Sequence, residues 1–316
     1  MSFKGMLSNL PPFQKLLFAI GMMFLSSFVF LVISFAIIKF HYGINLFSDA
    51  NMLDDFNNPV VISSMKLLQV LSGGIGLFIF PAFVAAYFFD FSSLEYLQLK
   101  KRASLISFLL VIIILFASMP FINWMVEING YLKLPSSLAS VEQWMKRSED
   151  EAARLTEAFL AGTSITSLLS NIFIVALLPA LGEELFFRGI MQKIFLQMTK
   201  NNHAAILITA TIFSAIHLQF YGFLPRMVLG IFLGYLLVWS GSLWLPMLAH
   251  FINNAAAVVL TFLVQQNKIG FDPETVGTAS DEKIMLLSSI AITFFLIYLI
   301  FRIEREKKNT DAQISF

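Results

Sequence analysis

The chain has 316 residues, 58% of them hydrophobic and only 13% charged, with a formal net charge of +1 and a mean hydropathy of +0.78. That balance excludes an ordinary soluble domain and offers no basic surface for nucleic acid. The absence of Cys removes disulfides, Cys-ligated metal and a cysteine nucleophile together.

Crossing about 30 Å of hydrocarbon at about 1.5 Å per residue needs roughly 20 apolar residues. Runs of that kind fall at 16–38, 67–89, 103–125, 164–181, 204–220, 223–240, 243–264 and 284–301, which predicts an all-α polytopic membrane protein of eight spans with membrane lipids as partners. The first run is too long for a signal-peptide core, and the IIKFHYG that follows lacks a small-x-small cleavage pattern, so it reads as a membrane helix. Lys100, Lys101 and Arg102, with Arg302, Arg305, Lys307 and Lys308 in the tail, place both termini in the cytoplasm by the positive-inside rule. Arg226 falls among the fewer cations of the opposite face.

Between the third and fourth runs, SVEQWMKRSEDEAARLTEAFL sets Val141, Trp144, Met145, Ala152, Leu155 and Phe159 along one stripe, the pattern of a helix lying on the bilayer surface. Ser140 with Gln143 three residues later suggests a capping box at its start. Such a helix is either a connector resting on the membrane or a docked lid.

Ionisable residues inside apolar spans are expensive and mark functional positions. They concentrate in the later spans. GEELFFRG follows the fourth run, and Glu184 and Arg188, four residues apart, share a helix face, whereas Glu183 points well away from the arginine. Glu183 is therefore left without a cation on its own helix, and a carboxylate walled by apolar groups suits a general base acting on water. The bland alternative is that both acids complement the N-terminal dipole of a helix resuming after Pro179 and Gly182. In IFSAIHL, Phe213 and His217 share a face, so the ring would wall and orient the imidazole; in AHFINNAA, His250 and Asn254 do the same. One carboxylate, two imidazoles and an amide, packed together, would supply a base for water and donors for a developing oxyanion.

In this order, EExxxR, FxxxH and HxxxN on successive helices, the chain resembles the CPBP family, which includes type II CAAX prenyl endopeptidases, lysostaphin-resistance-like proteins and Abi proteins. The resemblance covers roughly residues 170 to 262. It implies an intramembrane endopeptidase acting on a membrane-associated peptide or protein, most simply in a bacterial cytoplasmic membrane. By the same resemblance Glu183 activates water, His217 and His250 hold that water or a metal, Asn254 stabilises the oxyanion, and Glu184, Arg188 and Phe213 support them. A zinc ion on His217, His250 and Glu183 is one version; a metal-free site is the other, since the HExxH arrangement is absent. The corresponding division is 1–160 for three spans and the surface helix, 161–264 for the catalytic core, and 265–316 for the last span and basic tail. A proton-coupled transporter and a non-proteolytic immunity or scaffold protein are the competing readings.

Depth supplies an internal test. His217 and His250 lie about 20 Å and 12 Å along their helices, while a fourth helix ending at 181 leaves Glu183 near its end. The three meet only if that helix runs on through GEELFFRGIMQKIFLQM.

Overall fold

A computed structural model describes residues 3–46, 55–56, 58–131, 134–270, 273–278 and 282–314. The described residues form helices and connecting turns, with no strand. We label the principal helices α1 (Pro12–Tyr42), α2 (Pro59–Phe89), α3 (Leu105–Ala117), α4 (Met119–Gly130), α5 (Ala139–Leu160), α6 (Ile165–Thr199), α7 (Asn202–Ala215), α8 (Phe223–Ser240), α9 (Trp244–Gln265) and α10 (Lys283–Ile314).

The chain is an integral membrane protein by the length and apolarity of these helices. Six of them reach spanning length, and α3 with α4, bent by 50° at Ser118, makes a seventh. The expected eighth, 204–220, is corrected. Only Asn202–Ala215 is helical there, 14 residues or about 21 Å, short of a full crossing. Lipid-facing positions such as Phe24 and Phe28 on α1 stay exposed, since lipid is as apolar as they are.

The fourth span is also redrawn. It does not stop at 181 but continues to Thr199, so the continuous helix required by the depth argument is the one that forms. Pro81 and Pro179 each sit just after a stretch of wide turns with i→i+5 hydrogen bonds, Gln69–Ile79 in α2 and Ile172–Leu177 in α6. Proline lacks an N–H and crowds the carbonyl four residues back, and the wide turn relieves that clash without ending the helix. A further wide stretch, Glu184–Met191, carries the charged motif. The main core lies where α1, α2 and α6 meet, with Ala82, Ala86, Phe186, Ile190 and Ile194 closed from both water and lipid.

After Thr199, Lys200 turns left-handed at φ 55°, and the Asn201 side chain accepts from the amides of His203 and Ala204 to start α7. α7 and α8 form a hairpin with its apex at residues 216–222. Buried Asn129, at the end of α4, fastens that apex. Its amide donates to the Phe220 carbonyl at 2.7 Å, and its oxygen accepts from the Leu224 amide at 3.0 Å. The surface helix α5 lies against the same apex, with Trp144 on Phe220 at 5.2 Å between ring centroids and Glu149 accepting from the Tyr221 amide at 3.4 Å. The capping-box expectation fails. The helix begins two residues earlier, at Ala139 after a turn at Ser136–Leu138, so Ser140 sits inside it and no side chain caps it.

Candidate active site

The Glu184–Arg188 pair forms as its spacing requires. Arg188 Nη1 donates to Glu184 Oε1 at 2.7 Å, and both side chains are wholly shielded. Arg188 Nη2 donates to the Gly230 carbonyl at 3.1 Å, and its Cζ lies 4.7 Å from the centre of the Phe213 ring. One turn further, Gln192 Nε2 donates to the Gly234 carbonyl at 3.2 Å. Position 188 therefore faces 230 and 192 faces 234, which means that α6 and α8 run parallel. Glycine permits the approach. A Cβ at Gly230 would come within 3.0 Å of Ala210 Cβ, and one at Gly234 within 2.9 Å of Gln192 Oε1.

His250 on α9 reaches the same acid, with Nδ1 2.9 Å from Glu184 Oε1. A carboxylate held by arginine accepts, so Nδ1 carries a proton, and in the neutral imidazole Nε2 keeps its lone pair. That Nε2 lies 3.8 Å from Glu183 Oε2, too far for a direct hydrogen bond and close enough for both atoms to touch one water molecule. His217, two residues beyond α7, is fixed in the same tautomer. Its Nδ1–H donates to the Phe213 carbonyl at 2.8 Å, again leaving Nε2 as an acceptor. The Phe213 ring meets both imidazoles edge to face, at 5.1 Å for His217 and 5.9 Å for His250. The expectation that Phe213 orients His217 is sharpened: its backbone oxygen sets the tautomer, while its ring walls the site.

Glu183 differs from its neighbour. Its side chain retains 12% exposure against none for Glu184, and although each acid leaves a buried Oε2 without a hydrogen-bond partner, only Glu184 is held through its other oxygen, by Arg188 and His250. Asn254 is not paired with His250. Its Nδ2 makes a long contact of 3.5 Å to the Val175 carbonyl, and its Oδ1 accepts from Asn253 at 3.2 Å. Val175 lies in the wide-turn stretch just before Pro179.

Arg226 carries a role that charge counting along the sequence did not suggest. Read as a flanking cation, it sits on α8 one turn before Gly230, with Nη2 donating to Gln219 Oε1 at 2.7 Å and Nη1 to the Gln219 carbonyl at 3.3 Å. It interacts electrostatically with Glu183 and His217, and with Glu149 of α5. The signal available was its spacing from Gly230 and Gly234, a polar position and two glycines on one face of an apolar helix.

Residues 165–256 match the family model of the Rce1-like type II CAAX prenyl endopeptidases. This match supports the resemblance to the CPBP family over that segment. The segment contains all seven residues of the three motifs. The chain is also 31% identical over 91 residues to a protein of Bacillus subtilis (strain 168) called Uncharacterized protein YpbD, a match covering 28% of this chain and 43% of that relative. No solved structure matches.

The family resemblance raised zinc, and the residues do not fit it. Among the described residues no three His, Asp or Glu side chains converge as a ligand set.

Proposed function

We propose that the chain is an intramembrane endopeptidase that hydrolyses peptide bonds of a membrane-associated substrate, with Glu183 as the base that activates water. The observation that carries this reading is the asymmetry of the two adjacent acids. Glu184 Oε1 is tied to Arg188 and His250, whereas among the described residues no hydrogen bond holds the Glu183 carboxylate, whose Oε2 faces His250 Nε2. A water between Glu183 and an imidazole Nε2 has acceptors for both protons, which aims an oxygen lone pair at a carbonyl carbon placed alongside.

The step balances without a covalent enzyme intermediate. Water oxygen bonds to the scissile carbon, its proton passes to Glu183, and the carbonyl π pair moves to oxygen. As the tetrahedral species collapses, the C–N bond breaks and Glu183 returns the proton to the departing amine. His217 and His250 orient the water, and the Asn254 amide is a donor for the oxyanion. Similarity to type II CAAX endopeptidases supports peptide hydrolysis as the chemistry, while the substrate class proposed is the broader one of membrane-associated peptides. A bacterial cytoplasmic membrane is the setting proposed from the family resemblance, and the cation pattern supports placing both termini on its cytoplasmic side.

The test uses purified protein in lipid nanodiscs with a library of lipid-anchored peptides, in water enriched in ¹⁸O. Cleavage with ¹⁸O in the new carboxylate, lost in Glu183→Gln, is the expected result. Cleavage that survives Glu183→Gln would remove the acid from its role.

A further inference from the structure

A census of hydrogen-bond donors exposes a shortfall at the site. Glu183 is an acceptor. His217 and His250 both spend their Nδ1–H elsewhere, on the Phe213 carbonyl and on Glu184, so both present acceptor nitrogens. Asn254 has part of its donor capacity directed at Val175. Acceptors serve the attacking water well but do nothing for the negative charge that develops on the carbonyl oxygen, the charge whose stabilisation commonly dominates acyl-transfer catalysis. Arg188 cannot fill the gap. It is wholly buried, and it is held by Glu184, Gly230 and the face of Phe213.

Arg226 is placed to do so. The contacts 188 to 230 and 192 to 234 repeat every four residues along parallel helices, and the next rung back sets 226 opposite 184, beside Glu183. Its guanidinium spends one N–H on each oxygen of Gln219, leaving three of its five donors. Gln219 is two residues from His217, so the hairpin apex locates the arginine and one imidazole together. The charged groups that act on it are Glu183 and, from α5, Glu149.

We infer that Arg226 is a catalytic residue, the cationic donor for the oxyanion formed when water activated by Glu183 adds to the scissile carbonyl. This rests on the proteolytic reading above. The arginine exchanges no proton and forms no bond. Its charge is already in place as the carbonyl pair shifts to oxygen, and it is relieved when the C–N bond breaks.

Three variants and two ligands separate this from a merely fastening role. Arg226→Gln removes the charge, Arg226→Lys keeps charge without the fork, and Gln219→Ala loosens the tether while sparing the arginine. The readouts are kcat and KM for a cleaved lipid-anchored peptide, and affinities for that peptide's uncleavable N-methylated form and for its phosphinic analogue, which mimics the tetrahedral anion. We expect Arg226→Gln to lower kcat by about 10²–10³-fold with KM nearly unchanged, and to weaken the phosphinic analogue in parallel while sparing the N-methylated peptide. Arg226→Lys should recover part of both losses, and Gln219→Ala should cost less than about tenfold. Equal losses in Arg226→Gln and Gln219→Ala, or equal weakening of the two ligands, would show a fastening residue and overturn the inference. Full kcat in Arg226→Gln beside an active wild type overturns it alone, whereas a wild type that cleaves nothing and does not favour the phosphinic analogue overturns the proteolytic reading with it.

Discussion

Glu183 and Glu184 are neighbours on one helix and live in different chemistry. Glu184 is wholly shielded, with its Oε1 held by both Arg188 and His250. Glu183 keeps a sliver of exposure and an oxygen with no hydrogen-bond partner, facing an imidazole nitrogen that has a lone pair to offer. The contrast teaches that one step of 100° around a helix can separate a structural charge from a reactive one. The buried ion pair on one side is what allows the other acid to be left without one, because Arg188 is already committed.

Breaking the reactive side should have the largest effect. Glu183→Gln is expected to reduce cleavage by about 10⁴-fold or more, with the unfolding midpoint in detergent unchanged, as checked by single-turnover peptide cleavage and a thermal melt. Breaking the structural side should reverse that signature. Arg188→Met strands Glu184 as a buried charge and should destabilise the fold by about 3–5 kcal/mol, while the double change Arg188→Met with Glu184→Leu should recover most of the loss. A double variant no more stable than the single would show that the pair matters for more than mutual neutralisation.

Smaller effects sharpen the picture. Asn254→Ala should lower kcat by about 10²-fold, the usual loss for one oxyanion donor, and a loss in KM alone would reassign it to substrate binding. Trp144→Ala should weaken the docking of α5 on Phe220 by about 1 kcal/mol, read as faster amide exchange across residues 216–222. Unchanged exchange there would mean that α5 only rests on the membrane.

Much of this was legible from spacing. The helical class follows from apolar run length, and the Glu184–Arg188 pair from a four-residue interval on a helix. What spacing could not reveal were relations between helices. Asn254 shares a face with His250 in sequence, yet its amide reaches the Val175 carbonyl on another helix. Arg226 resembles an ordinary flanking cation until Gly230 and Gly234 show which way its face points. The end of α6 was hidden because Glu183, Glu184 and Arg188 look like the polar edge of a membrane when their partners, His250 and Gly230, lie far away in sequence. The 204–220 run reads as a span by hydropathy, but the helix stops at Ala215 and Leu218 is left-handed at φ 54°. The hairpin turns back at the level of the site.

The wide turns of α6 also give that helix a tolerance. Within Ile172–Leu177 each turn holds more residues than an ordinary helix needs, as though the chain carried a spare link before Pro179. Deleting one residue there could be absorbed by tightening a turn, leaving the bearing of Glu183 nearly untouched. The same deletion within Leu185–Phe187 would swing Arg188 relative to both acids and unlock the cluster. Two stretches of like geometry on one helix would thus answer the same one-residue deletion in opposite ways, the first as slack and the second as a clock setting.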